Sequence, residues 1–195
     1  MGRRFDTIRT DRLVMRRWRD TDRAPFAALN ADPEVMRYFP ATLDRAASDS
    51  LVSIIEARFD HQGFGLWALE LASTAEFIGF TGLNPMPSGV PEAGGMEVGW
   101  RLARQAWHQG YATEAAMAAV DVAFNGAGLA ELWSMTSVLN EPSQAVMRRL
   151  GMTRYTYFEH PQIDPGHPVR RHVLYRLRRP APAPPGREDG AHDGD

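Results

Sequence analysis

The sequence contains neither cysteine nor lysine, so all 22 of its Lys/Arg-type cations are arginine. Without cysteine there is no disulfide, no thiolate nucleophile and no cysteine–zinc site. Without lysine there is no P-loop lysine, no Schiff base and no lysine general base. The G-x-S-x-G pattern of a serine hydrolase is missing. No apolar run is long enough to span a bilayer. No basic-then-apolar leader opens the chain, so a cytoplasmic location is the expectation. The formal net charge is only −2, which gives no general attraction to nucleic acid or anionic lipid. Neither nucleic acid nor membrane is therefore expected as a partner.

What is present is a globular composition over 195 residues, enough for a buried core. Residues 1–179 are expected to form a single domain. From Pro180 on, PAPAPPGREDGAHDGD has no large apolar side chain to bury, so residues 180–195 are expected to be a disordered tail.

The informative stretch runs from Met96 to Gly128. Met96, Val98, Trp100 and Leu102 alternate with Glu97, Gly99 and Arg101, the period-two pattern of a strand. Ala112, Ala115, Ala116, Ala119, Val120, Ala123 and Phe124 then recur with helical spacing. Asn125-Gly126 and Gly128 end that helix. A strand feeding a glycine turn that opens a helix aims free backbone N–H groups at one point. The helix dipole adds positive charge there, which suits a diphosphate. An ordinary strand–helix connection with a glycine in the turn has the same pattern.

Around this unit the chain alternates. Thr10 to Trp18 reads as a strand. Helices are predicted after Asp20-Thr21-Asp22, over Glu34–Tyr38, and over Thr42–Gln62, where Leu51, Ile54, Ile55 and Phe59 line one side. Phe64–Leu71 and Phe77–Leu83 read as a hairpin, and Asn84–Gly95 as a Pro- and Gly-rich loop. Gly63-x-Gly65-x-x-Ala68 matches the dinucleotide fingerprint, but it follows a helix and opens a strand, the reverse of what that fingerprint requires. Glu131–Leu139 is a strand, and Asn140-Glu141-Pro142-Ser143 opens a short helix ending at Gly151. Tyr155–Phe158 and His172–Leu177 close the chain as strands. His160, His167 and His172 match no metal-ligand spacing, so no metal is expected; they are expected to hold the loop before the last strand or to touch an acceptor substrate.

E-V-G-W followed by W-x-x-G-x-A-T-E-A resembles the acetyl-CoA loop of the GNAT N-acetyltransferases, in particular the RimJ/RimL-like branch. N-x-x-S before R-x-L-G-M resembles the last conserved element of that family, and H-P … H-x-L-Y-R its ending in many bacterial members. The resemblance implies an α/β (α+β) GNAT fold: a central mixed, mostly antiparallel sheet of about seven strands flanked by helices, with two central strands splayed apart. It implies acetyl-CoA as co-substrate, held by the turn Trp107, His108, Gln109, Gly110, Tyr111, Ala112 and Thr113. Trp100, Arg101 and Leu102 of the strand, with Asn140 and Ser143, complete that set. It also implies direct attack of a primary amine on the thioester, the amine belonging to a protein N-terminus or a small molecule. Glu97 is the candidate general base, pointing away from the core-facing residues of its strand. Glu114 is read as a structural carboxylate at the helix start. At Met147 the family often has a tyrosine that acts as an acid, so Ser143, a water or no acid at all takes that role. Asn140 and Ser143 also fit simple helix capping. Two other readings stay open. One is a non-catalytic acyl-CoA-binding or regulatory module. The other is an acyltransferase using another donor such as succinyl-CoA, its distal carboxylate paired with Arg101, Arg104 or an arginine of the N-terminal helices. Many relatives are dimers, which leaves a homodimer open.

Overall fold

The computed structural model describes residues 4–181. The expected tail falls outside these residues from position 182 on. Eight strands form one sheet: β1 (Thr7–Arg9), β2 (Leu13–Arg16), β3 (Leu66–Leu71), β4 (Phe77–Pro85), β5 (Met96–Leu102), β6 (Glu131–Ser137), β7 (Thr153–Glu159) and β8 (Arg171–Arg178). Their order across the sheet is β1-β2-β3-β4-β5-β6-β8-β7. Every neighbouring pair is antiparallel except β5–β6. The helices are α1 (Arg23–Ala31), α2 (Pro33–Met36), α3 (Arg45–Gln62), α4 (Tyr111–Asp121) and α5 (Glu141–Arg149).

The strand predicted over Thr10 to Trp18 is shorter, Leu13–Arg16, and a further strand, Thr7–Arg9, precedes it. Thr10 N–H bonds the Leu13 carbonyl at 3.0 Å, so Thr10 to Leu13 makes a turn and the chain doubles back as the β1–β2 hairpin. Gly63 caps α3 at φ 79, a left-handed position that glycine occupies without strain. The dinucleotide-like glycines thus serve a helix end and a strand start.

Helix α4 makes the crossover between β5 and β6, which is why this pair alone is parallel. Val98 and Leu102 of β5 are buried in the same core as Ala115, Ala116 and Ala119 of α4. The small alanines let the helix sit close to the sheet. Helices α1 and α3 pack on each other, and Trp18, Phe26, Phe77 and Phe80 form an aromatic cluster beneath them. Arg16 of β2 is buried between Asp22 (Nη1 2.7 Å) and Glu70 (Nε 2.6 Å), two carboxylates that satisfy its fork. Both faces of the sheet are covered, so residues of β5 on either face sit inside the protein.

Candidate active site

Strands β5 and β6 share one registered pair, Glu97 with Trp133. Beyond it they part. The Ala103 N–H bonds the Ile78 carbonyl of β4 at 2.9 Å. Backbone direction alternates along a strand, so Gly99 and Arg101 also turn their N–H groups to β4, and Trp100 and Leu102 turn theirs into the gap. Of the expected cofactor residues on this strand, Trp100 thus has a backbone N–H free to face the gap, whereas the Arg101 N–H is committed to the ladder opposite Phe80.

The turn after β5 holds its shape by identifiable means. Trp107 Nε1 donates to the Leu102 carbonyl at 2.9 Å, so this indole is anchored on the strand end and its N–H is spent. His108 has φ 61 and Gly110 φ 82. Gly110 is the N-cap of α4 and offers no side-chain cap, so the first-turn N–H groups of Tyr111, Ala112 and Thr113 have no partner within the helix. His108, Gln109 and Gly110 are exposed. The turn thus leaves these N–H groups open to solvent at the start of α4, an arrangement that suits an anion.

An arginine that sequence spacing does not point to joins it. Arg12, from the β1–β2 turn, pairs with Glu114 (Nη2 2.6 Å) and donates through Nη1 to the Gln109 carbonyl at 2.9 Å. A methyl group placed on Gly110 would lie 3.4 Å from Arg12 Nη2. Glu114 is structural, as its place in the first turn suggests. It accepts from Thr10 Oγ1 at 2.6 Å and from the Arg12 N–H at 2.9 Å. Burial pushes its carboxyl up, but the bonds from Thr10 and Arg12 outweigh this and hold it below the usual range.

The face of β5 opposite α4 carries Glu97, Gly99 and Arg101. Glu97 is not a surface carboxylate. Burial pushes its pKa up to about 7, against the lowering effects of a hydrogen bond from Asn84 and of the Arg58 charge. Asn84 Nδ2 donates to Glu97 Oε1 at 3.1 Å, and Arg58 Nη1 of α3 donates to Asn84 Oδ1. Neither Asn84 nor Arg58 stands out in the sequence, because the three meet only when α3 packs over the β4–β5 ladder. A methyl group at Gly99 would meet no other atom within 4 Å, so open space lies beside Glu97. Next to the turn, a recess of about 580 Å³ is lined by Asp32, Glu34, Arg104, Gln105 and Trp107.

The remaining expected residues lie elsewhere. Asn140 caps α5: Oδ1 accepts the Ser143 N–H at 3.1 Å and Nδ2 donates to Thr136 at 3.0 Å. Ser143 follows the far end of β6. Trp133, beside Glu97, is four residues before the end of that strand, a distance of about 13 Å at the rise of an extended chain. Among the described residues no hydrogen bond links Ser143 to Glu97. Met147 is fully buried in the core. The histidines brace their loop: His160 and His167 each accept a backbone N–H two residues on at 3.3 Å, and the His160 and His172 rings lie 4.9 Å apart.

Known proteins resemble this chain in sequence and fold. The model of the acetyltransferase (GNAT) domain matches residues 12–153. An uncharacterized Bacillus subtilis protein, YkkB, is 33% identical over 144 residues, 73% of this chain and 83% of its own. The FsC-acetyl coenzyme A-N(2)-transacetylase of Aspergillus fumigatus is 32% identical over 170 residues, 78% of this chain and 71% of its own. The crystal structure of an acetyltransferase from Agrobacterium tumefaciens superposes with a TM-score of 0.73 at 30% identity, covering 89% of this chain and 94% of that one. The splayed β5–β6 pair and the glycine turn at the start of α4 both fall within the matched residues, and the chain is an acyltransferase of the GNAT acetyltransferase family.

Proposed function

We propose that the protein transfers an acetyl group from acetyl-CoA to a primary amine, with residues 1–179 acting as one domain. The observation that carries this reading is Glu97: a carboxyl brought to about 7, beside the parted strands and facing open space over Gly99. A base with that pKa is ionised in a useful fraction at neutral pH and still accepts a proton from an ammonium group. The name of the Aspergillus relative, an acetyl coenzyme A-N(2)-transacetylase, supports the same donor and the same acceptor atom. The W-x-x-G-x-A-T-E-A motif supports the RimJ/RimL-like branch.

In this reading the diphosphate of acetyl-CoA lies on the N–H groups of Tyr111 to Thr113, with the Arg12 charge beside it. The pantetheine arm lies along the gap between β5 and β6. The neutral amine forms a C–N bond to the thioester carbon, and the oxyanion takes the Trp100 N–H. Glu97 receives the amine's proton. The C–S bond breaks and CoA leaves as the thiolate. Ser143, whose hydroxyl makes no hydrogen bond to a described residue, is the candidate to protonate it.

The test is calorimetric titration with acetyl-CoA, followed by thiol release across a set of amines. The assay has no background from the protein, which lacks cysteine. Ala112→Glu is the control. A carboxylate in the first helical turn favours the helix but opposes a bound diphosphate, whereas a side chain at Gly110 would strain its left-handed backbone. Binding by the wild type that Ala112→Glu abolishes supports the reading. A folded wild type that binds no acetyl-CoA overturns it.

A further inference from the structure

Two arginines are drawn in from the surface, Arg16 fully buried and Arg101 half-buried with its Nε sealed from solvent, and they are treated differently. Arg16 is given two carboxylates. Arg101 is given none among the described residues. Its Nη1 donates to Asn30 Oδ1 at 2.6 Å. Its Nε is out of contact with solvent and has no acceptor, and its Nη2 makes no hydrogen bond to a described residue. Its guanidinium lies 4.2 Å from the centre of the Phe39 ring and 5.5 Å from that of Phe80. Two aromatic faces stabilise a cation and align its plane, but they do not neutralise it. Burial with no counter-charge lowers the Arg101 pKa to about 10. An unpaired charge in such a place is costly, and folding alone gives no reason to keep it.

Its position supplies the reason. Arg101, Gly99 and Glu97 alternate onto one face of β5, and that face is covered by α1 through Asn30 and by α3 through Arg58. Arg101 and Glu97 stand about 13 Å apart at the backbone, and Gly99 leaves open space between them. A free guanidinium Nη2 at one end and a proton acceptor at the other define complementary halves of a ligand.

We propose that Arg101 binds a carboxylate of the acceptor, so that the preferred substrate is an amine that also carries a carboxylate, as an amino acid does. This rests on the acyl-transfer reading above. The carboxylate occupies Nη2, the terminal donor left unused, and holds the amine over Gly99 toward Glu97. Its bonds do not change in the reaction. The amine nitrogen joins the acyl carbon, the C–S bond breaks, CoA thiolate departs and the amine's proton passes to Glu97. A dicarboxylic acyl donor has the same chemistry to offer Arg101 through its distal carboxylate, and the experiment separates the two.

The test uses the full chain and a panel of L-amino acids, each beside its decarboxylated amine (leucine with isoamylamine, phenylalanine with phenethylamine). Binding is read by calorimetry in the presence of CoA, and turnover by CoA release from acetyl-CoA. Two variants are compared with the wild type. Arg101→Gln removes the charge and, because that charge is unpaired, is expected to keep or raise the unfolding midpoint. Asn30→Asp leaves the guanidinium in place but supplies it with an internal carboxylate. Both are expected to weaken amino-acid binding about 10- to 100-fold, the worth of a charge-assisted hydrogen-bond pair, while changing the matched amines less than about 3-fold. Amino acids and amines bound alike by the wild type, or amino-acid binding unchanged in Arg101→Gln, or no member of the panel bound, overturns the proposal. Transfer from succinyl-CoA to isoamylamine that Arg101→Gln alone abolishes assigns the carboxylate to the donor and overturns the acceptor form. Arg101-dependent amino-acid binding without CoA release from any pair leaves the carboxylate site standing and sinks the acetyl-transfer reading instead.

Discussion

Asn84 hydrogen-bonds Glu97 at 3.1 Å directly across the β4–β5 ladder, and Arg58 donates to the same asparagine from α3. Burial pushes the Glu97 carboxyl up, and these two neighbours pull it part of the way back. The Glu97 carboxyl is thus raised by burial and tempered in part by a helix far along the chain from the strand that carries it.

The first consequence is a pH profile. The kcat/KM for amine acetylation is expected to rise with pH and level off above about 7, as Glu97 ionises. Asn84→Ala removes an interaction that lowers the pKa, so the rising limb should move to higher pH. Glu97→Gln should lose about 10²- to 10⁴-fold and the limb with it. Initial rates over a pH series check all three; a wild-type limb that stays in place in Glu97→Gln would exclude Glu97 as the base.

The same shift has a cost in stability. The folded pKa of about 7 lies above the ordinary carboxylate value of 4.5. Native protein therefore holds this proton more tightly than unfolded chain does. The associated stability is fully present below about 4.5 and is lost as pH rises through about 7. Glu97→Gln does not titrate, so its stability relative to wild type should increase from pH 5 to pH 8, by up to about 3 kcal/mol. Urea unfolding of both proteins at the two pH values measures the difference.

Arg16→Met tests the contrast with Arg101. It strands two buried carboxylates, Asp22 and Glu70, and is expected to cost about 3–5 kcal/mol in chemical denaturation. Arg101→Gln strands none and should cost far less.

Arg12→Gln should weaken acetyl-CoA binding by about 3- to 10-fold and reduce its dependence on salt, since the guanidinium stands at the diphosphate turn. The Arg12–Glu114 pair is half-exposed on the arginine side, at 49%, so the loss in stability should stay within about 1 kcal/mol. Calorimetry at two salt concentrations separates the two effects.

Gly99→Leu fills the open space between Glu97 and Arg101. Acceptor KM is expected to rise steeply or turnover to vanish, with acetyl-CoA affinity unchanged, because the proposed donor path runs along the gap between β5 and β6. Equal loss of donor binding would place the acceptor elsewhere.

Much of this protein is determined by local relationships along the chain. The alternation in Met96–Leu102 and the alanine spacing after Gly110 are relations between near neighbours, so the strand, the turn and α4 can be read directly. So can the opposite facing of Glu97, and the family through its motifs. The β1–β2 hairpin cannot be, because Thr10–Leu13 forms a turn without a Gly or Pro signal. What Glu97 and Arg101 do chemically is decided only in three dimensions. Arg12 reaches Glu114 across 102 residues, Arg58 and Asn84 meet over Glu97 only through packing, and the isolation of Arg101 is a fact about what did not come near it. A side chain's charge state depends on all the dielectric and all the dipoles around it, and these are assembled from distant segments, so spacing along the chain carries no record of them.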